Sequence, residues 1–255
     1  MKDMMIAAGE WVEFSGRALA GLRRIGPYGG EVLRQAALIT AGSALIIVSI
    51  TAMTGATCGL QATVMSRSIG AGVIAPMFSA VCSVREVVPV LFGVILAGKV
   101  GCGMVAEIGA MRVAEEIDAL EVMGVPSMVY LISTRLAAGA IAIPPIYLAA
   151  VASAQAGAWF ASYVRFHDIS QGSWEQAFYG ALRPIDLVFS LIKGVVTFLL
   201  VLLVALYFGN RVRGGPVEVG EAVARSMFVN LGLIAFINPL LSLLLWGFDP
   251  PIPIA

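Results

Sequence analysis

The chain has 255 residues, of which 59% are hydrophobic and 13% charged, and its formal net charge is zero. A soluble domain is about 45–50% apolar and about 25% charged, so the composition indicates that lipid covers part of the surface. The balanced charge, without a basic tail, argues against a nucleic-acid partner. We therefore expect an all-α membrane protein.

The N-terminal region, residues 1–34, is predicted to be cytoplasmic and to contain an amphipathic helix over 10–25 that lies in the membrane interface. A flexible tail is the alternative. One helical face is apolar, with Trp11, Phe14, Ala18, Leu22 and Ile25, and the other carries Glu10, Glu13, Arg17 and Arg24. The Lys and Arg residues that precede the first apolar run place this terminus in the cytoplasm.

Five membrane spans are predicted within residues 35–255, because a crossing needs about 20 apolar residues. Four runs qualify directly: 36–58, 136–160, 187–209 and 227–248. The region 69–106 is too long for one crossing, and Arg85-Glu86 interrupts it. We expect 69–84 to be a broken or re-entrant segment and 87–106 to be the second span. Five spans give an extracytoplasmic C-terminus.

The sequence shows no site for a metal or a nucleotide. Cys58, Cys82 and Cys102 lie in apolar runs with no metal-ligand spacing, so we expect buried packing thiols. The single histidine, His167, supports neither a catalytic triad nor a metal site. Residues 93–100, GVILAGKV, match the start of a P-loop, but a valine follows the lysine where the motif needs Ser or Thr.

Acidic side chains are concentrated in one short stretch, since five of the sixteen carboxylates lie between residues 107 and 121. Val113, Ile117 and Leu120 would form an apolar stripe on a helix, with Arg112, Glu115 and Glu116 opposite. Arg112 and Glu116 would form an i,i+4 pair, and Gly124 and Pro126 would end the helix. The charged face is either solvated or a docking surface for a soluble partner.

Charged residues also fall inside the predicted membrane segments, where each costs at least about 2.5–3.5 kcal/mol and marks function by default. Arg85, Glu86 and Lys193 are the main candidates, and Asp186 near the outer end of the fourth span belongs with them. They line a cavity in the outer half of the membrane that meets a lipid head group or carboxylate, or they form a structural network in which Glu86 neutralises Arg85 or Lys193.

Several motifs resemble one transporter family. Residues 85–124, REVVPVLFGVILAGKVGCGMVAEIGAMRVAEEIDALEVMG, are similar to the signature of MlaE/YrbE permeases, as are LIKGVV (191–196), LYFGN (206–210) and GGPVEVGEAVARSM (214–227). These permeases belong to ABC systems that work with MCE proteins to move lipids across the cell envelope. The 214–227 run and the GFDP ending resemble the B type of actinobacterial YrbE subunits, as in mycobacterial Mce systems.

The resemblance implies a single permease domain over 1–255 in a bacterial inner membrane, with a coupling helix at about 107–124 that sits in a groove of a cytoplasmic ATPase. The positions carried over to that helix are Glu107, Arg112, Glu115, Glu116 and Asp118. ATP and Mg would be bound by the ATPase, and this chain would be a transport subunit rather than an enzyme.

The resemblance further implies a permease dimer, with an A-type subunit or a second copy, and MCE proteins on the outer side. The cargo would be a fatty acid, sterol or phospholipid, and the direction import. An ATP-independent secondary transporter or channel is the main alternative, and a structural membrane anchor is the third.

Overall fold

The computed structural model describes residues 2–68, 70, 74–166 and 170–247, and all regular structure within these ranges is helical. Five of its helical segments are long and apolar enough to cross a membrane, which confirms the predicted five spans. They are Gly26–Ser68, Ala75–Val113, Met128–Val164, Pro184–Asn210 and Pro216–Trp246. Each is longer than the apolar run that predicted it, because helical hydrogen bonding continues into the polar flanks.

In the part of the chain that the structure describes, ten α-helices make up the spans and their connections: α1 Lys2–Gly21, α2 Gly29–Ser68, α3 Ala75–Cys82, α4 Val88–Leu96, α5 Cys102–Val113, α6 Glu116–Val122, α7 Thr134–Phe166, α8 Gln171–Ala181, α9 Pro184–Asn210 and α10 Pro216–Trp246. Three π-helical turns lie at Ser83–Val87, Ala97–Gly101 and Met128–Ser133. Short 3-10 turns at Leu22–Arg24 and Gly26–Tyr28 join α1 to α2.

The broken segment predicted over 69–84 is not a separate element in the described residues. From Ala75 the chain stays helical to Val113, through α3, α4, α5 and the two π turns between them. The predicted interruption at Arg85-Glu86 lies in the first π turn. A π turn inserts one residue without ending a helix, which is why the charges interrupt the apolar run but not the helix. Residues 69 and 71–73 lie outside the described ranges.

The chain groups into two compact units. The first consists of Met1–Ser43, Val94–Ile143 and Phe198–Ile234, and the second of Ala44–Gly93, Pro144–Thr197 and Ala235–Ala255. The first unit holds α1, α6 and the α9–α10 connection. The second holds α3, α8 and the C-terminal end of α10.

In the first unit, α1 packs on the π turn Met128–Ser133. Phe14 and Ala18, which belong to the apolar face, are buried against the protein. The Ser133 hydroxyl donates to the Ala18 carbonyl at 2.9 Å, and a Cβ at Gly21 would overlap that hydroxyl. The helix begins at Lys2, eight residues before the predicted start. Its position in a membrane interface stays a prediction.

In the second unit, α8 packs on α3 through aromatic side chains. Trp174 and Phe178 stack with their ring centroids 4.5 Å apart and pack against Ala80. The cysteines correct a prediction: Cys58, Cys82 and Cys102 are free and partly exposed rather than buried. An apolar run in a membrane span faces lipid as well as protein, so it does not by itself imply burial.

Candidate functional site

The π turn at Ser83–Val87 carries two of the predicted charges and frees backbone carbonyls. The N–H of Val88 donates to the carbonyl of Ser83, five residues back. In that register the Val84 carbonyl would pair with the nitrogen of Pro89, which carries no hydrogen. The turn therefore offers carbonyl acceptors to side chains from other helices.

Side chains from one face of α9 bind these acceptors. The Ser190 hydroxyl donates to the Val84 carbonyl at 2.6 Å, and the Lys193 ammonium donates to the Arg85 carbonyl at 2.9 Å. The two residues are three apart and so share a helical face. The hydroxyls of Ser190 and Tyr147 are also hydrogen bonded, at 2.5 Å. The break in α-helical register thus creates the binding site for the buried lysine.

The ammonium of Lys193 uses all three of its N–H donors within the protein. Besides the Arg85 carbonyl, it contacts Glu86 Oε2 at 3.0 Å and Ser242 Oγ at 2.6 Å. The Ser242 hydroxyl donates to the other oxygen of Glu86. Because an ammonium has three donors, Lys193 has none left for a ligand in this conformation.

Arg85 forms the second ion pair of the site, with Asp186. Its Nη2 lies 3.2 Å from Asp186 Oδ2, and that carboxylate also accepts from the Trp246 indole at 2.6 Å and the Arg183 backbone N–H at 3.2 Å. The Trp246 ring centroid lies 5.6 Å from the Arg85 guanidinium and 5.9 Å from the Lys193 ammonium. The indole therefore contacts both pairs through cation–π interactions.

We call these six residues the charge network: Arg85, Glu86, Asp186, Lys193, Ser242 and Trp246. Two cations balance two carboxylates, and the exposed fractions of the side chains are 0% for Lys193, 3% for Asp186, 10% for Arg85 and 50% for Glu86. Glu86 is therefore the member most open to the surroundings. An anionic ligand could reach Lys193 only by displacing Glu86 or Ser242.

The structure brings all four predicted charges together and adds two residues that the sequence reasoning missed. Glu86 neutralises Lys193, as one hypothesis stated, whereas Arg85 pairs with Asp186. Ser242 and Trp246 were not predicted. The sequence feature that could have identified them is the presence of a hydroxyl and an indole four residues apart in an otherwise apolar stretch, LSLLLW. That spacing puts both side chains on one helical face.

The second candidate site is the acidic stretch, where the predicted single helix over 107–124 is wrong. Helix α5 ends at Val113, and α6 begins at Glu116. Between them Glu115 adopts a left-handed conformation with φ 58°, which ends an α-helix. The predicted end of the element at Gly124 is confirmed, with Gly124 at φ 77°.

The predicted Arg112–Glu116 pair does not form, because the left-handed residue breaks the i,i+4 register. Arg112 instead contacts Asp118 Oδ1 at 3.1 Å and Asn210 Oδ1 at 3.1 Å. It therefore ties α6 to the C-terminal end of α9. Ile117, on the predicted apolar side, is buried.

The remaining acidic residues have different surroundings. Glu107 pairs at 2.6 Å with Arg135, a buried arginine that the sequence reasoning missed because it lies at the edge of an apolar run. Glu115, Glu116 and Asp118 are exposed. We call residues 112–123 the acidic turn.

The tip of the acidic turn is apolar. Val122 is 89% exposed and Met123 is 69% exposed. The turn thus presents carboxylates and an uncovered apolar tip on a base fixed by Arg112 and Ile117.

The end of α9 also binds α1. Arg211 and Tyr207 both contact the carboxylate of Glu10, and the Phe14 and Tyr207 rings meet edge to face at 5.6 Å. The hydrogen bond from the Arg211 guanidinium lowers the pKa of Glu10 below its usual range.

The described residues contain no group of three or more His, Cys, Asp or Glu side chains placed to hold a metal ion. His167 lies outside the described residues.

Comparison with known proteins covers most of the chain. Residues 32–244 match the family model described as Permease MlaE. A probable ABC transporter permease protein of Rickettsia bellii is 29% identical over 90% of this chain and 88% of its own. The intermembrane phospholipid transport system permease protein MlaE of Haemophilus influenzae is 26% identical over 82% of this chain and 80% of its own.

A chloroplast relative is also similar over part of its length. The protein trigalactosyldiacylglycerol 1 of Arabidopsis thaliana is 32% identical over 66% of this chain and 46% of its own. Since the family model matches well over half of the residues, the chain belongs to the MlaE permease family.

Proposed function

We propose that the chain is the transmembrane permease subunit of an ATP-driven lipid transport system. It would reside in a bacterial inner membrane, with its N-terminus in the cytoplasm and its C-terminus outside. Family membership supports the transport role, and the name of the Haemophilus relative supports a lipid cargo. The observation that carries the proposal is the acidic turn, which presents charge at the end of a long apolar helix.

The acidic turn has the properties of a coupling element for a soluble ATPase. Its exposed face combines Glu115, Glu116 and Asp118 with the uncovered tip at Val122 and Met123. A solvated loop has no need of an apolar tip, whereas a docking surface buries one. Arg112 fixes the turn to α9, so a push on the turn reaches a spanning helix.

The transport cycle would then use two permease halves and two ATPase subunits, with ATP and Mg bound by the ATPase. Closing of the ATPase dimer would move the acidic turns and reshape a lipid cavity between the permeases. The charge network would meet the cargo's head group or carboxylate, which would displace Glu86 from Lys193. MCE proteins outside would form the lipid conduit.

The finer assignments rest on the sequence resemblance. The B-type motifs at 214–227 favour a heterodimer with an A-type permease over a homodimer. They also favour import, with a fatty acid, a sterol or a phospholipid as the cargo.

Co-purification tests the docking proposal. The tagged chain is isolated from its host in mild detergent, and the proteins that accompany it are identified by mass spectrometry. We expect an ATPase, a second permease subunit and MCE proteins. The double charge reversal Glu115→Lys/Glu116→Lys should release the ATPase and retain the other subunits. Glu175→Lys, a charge reversal at another exposed residue, on α8, is the control and should leave the ATPase bound.

Retention of the ATPase by the double reversal would overturn the coupling role of the turn. Isolation of the chain without any ATPase, even after cross-linking in the membrane, would favour the secondary transporter. The charge network is compatible with that alternative, but the acidic turn is not required by it.

A further inference from the structure

A groove in the first unit is not used by the proposed function. It lies between residues 35–43 of α2 and residues 99–107 of the second span, is open on one side, and has a volume of about 210 Å³. Leu38, Ile39 and Met104 make much of its wall apolar. The groove shares no residue with the charge network or the acidic turn.

The polar groups at one end of this groove already have partners. The Gln35 amide donates to Glu31 at 2.8 Å. The Glu107 carboxylate accepts from Arg135 at 2.6 Å. This end therefore carries no unbalanced charge.

Lys99 at the other end is different. It precedes Glu107 by eight residues, which is about 12 Å along a helix. Its side chain is exposed and crosses to α2, where Cε lies 3.9 Å from the place that a Cβ would take at Gly42. Among the described residues, Lys99 forms no ion pair. Lys99 lies within the candidate span Ala75–Val113, and an ammonium in an apolar span is unfavourable unless an anion compensates it.

We propose that this groove binds the head group of an anionic phospholipid, with a lipid phosphate against the Lys99 ammonium. Charge complementarity requires an anion, and the apolar walls select one that brings acyl chains with it. Exposed Leu38 and Leu45 continue the apolar surface along α2. Basic pockets between transmembrane helices select anionic head groups in this way.

Photolabelling of the full chain in vesicles tests the site. The probes are phosphatidylglycerol and phosphatidylcholine with a diazirine near the head group, each at trace level in phosphatidylcholine vesicles. Adducts are located by mass spectrometry. We expect labelling at 35–43 and 99–107 to favour phosphatidylglycerol about fivefold, the factor for one lysine near an anionic lipid.

Three variants separate charge from structure. Lys99→Gln should reduce the ratio of phosphatidylglycerol to phosphatidylcholine labelling to about one, because it removes the one charge that produces the preference. Lys99→Arg keeps the charge and should keep the preference. Arg34→Gln removes an exposed cation from α2, the helix that forms the opposite wall, at a position outside the groove, and should leave the preference unchanged.

Equal labelling by the two lipids in the unaltered chain, or an unchanged preference in Lys99→Gln, would overturn the proposal. So would the loss of both labels from the groove while Leu45 is still labelled, because a second protein copy would then cover it.

Discussion

Removing the two members of the Lys193–Glu86 pair should have unequal effects on stability. Glu86→Gln leaves a fully buried ammonium without its counter-ion, and breaking a buried pair in this way costs about 3–5 kcal/mol. We take the lower end, about 3 kcal/mol, because Glu86 is half exposed. Lys193→Met leaves a half-exposed carboxylate that keeps its hydrogen bond from Ser242, so the main cost is the unsatisfied Arg85 carbonyl, about 1–3 kcal/mol.

The double variant Lys193→Met/Glu86→Gln should cost about as much as Lys193→Met alone, because the glutamate has no cation left to neutralise. The coupling free energy between the two sites should therefore equal the cost of Glu86→Gln, about 3 kcal/mol, at the upper end of the range for contacting residues. The measurement is the free energy of unfolding in mixed detergent–SDS micelles, followed by helical circular dichroism and by the fluorescence of the chain's tryptophans.

The exposed pair Glu13–Arg17, with its atoms 3.1 Å apart, is the matched control. Its single variants, Glu13→Gln and Arg17→Met, should each cost less than about 1 kcal/mol, as surface pairs do. The reasoning is refuted if Lys193→Met costs at least as much as Glu86→Gln, or if the two costs add.

Three further predictions concern the first unit. Glu115→Asn should leave the free energy of unfolding unchanged within about 0.5 kcal/mol, because Asn tolerates the left-handed conformation. Glu115→Val should lower it by about 1–2 kcal/mol. Equal costs for the two variants would contradict the observed backbone. Arg112→Gln should speed amide hydrogen exchange in α6, and unchanged exchange would show that the Asn210 contact does not hold the turn. The pKa of Glu10 is lowered in the folded state, so the Arg211 contact stabilises α1 above the usual glutamate pKa and is lost as the pH falls through the lowered pKa. Protease cleavage of α1 should therefore rise as the pH falls through that window. Glu10→Gln should remove this pH dependence.

The sequence was sufficient for the spans because each one is a long apolar run. Their ends extend further than predicted, since Arg112 and other polar residues continue the helices beyond the apolar stretches. The interruption at Arg85-Glu86 was located correctly, but it was interpreted as the end of a broken or re-entrant segment, whereas the helix continues through a π turn. Whether a charged pair ends a helix depends on its partners, and Asp186 and Lys193 lie about a hundred residues away.

In the acidic stretch, the sequence pattern did not predict the turn between α5 and α6. Helical periodicity predicted one element over 107–124, and neither Gly nor Pro marks the turn at Ala114-Glu115. The contact that favours the turn, from Arg112 to Asn210, joins residues 98 positions apart. A single sequence without a structure gives no local signal for such a pair. The prediction that Ile117 lies on the apolar side of the helix was nevertheless correct, because it depends only on local helical spacing.

The most direct test of ATP-driven lipid transport is reconstitution of the purified complex in vesicles, with transfer of an isotopically labelled lipid measured with and without ATP and Mg. The account predicts transfer that requires ATP and that is lost in Glu115→Lys/Glu116→Lys but retained in Glu175→Lys. Equal transfer without ATP, or full transfer by the double reversal, would contradict it.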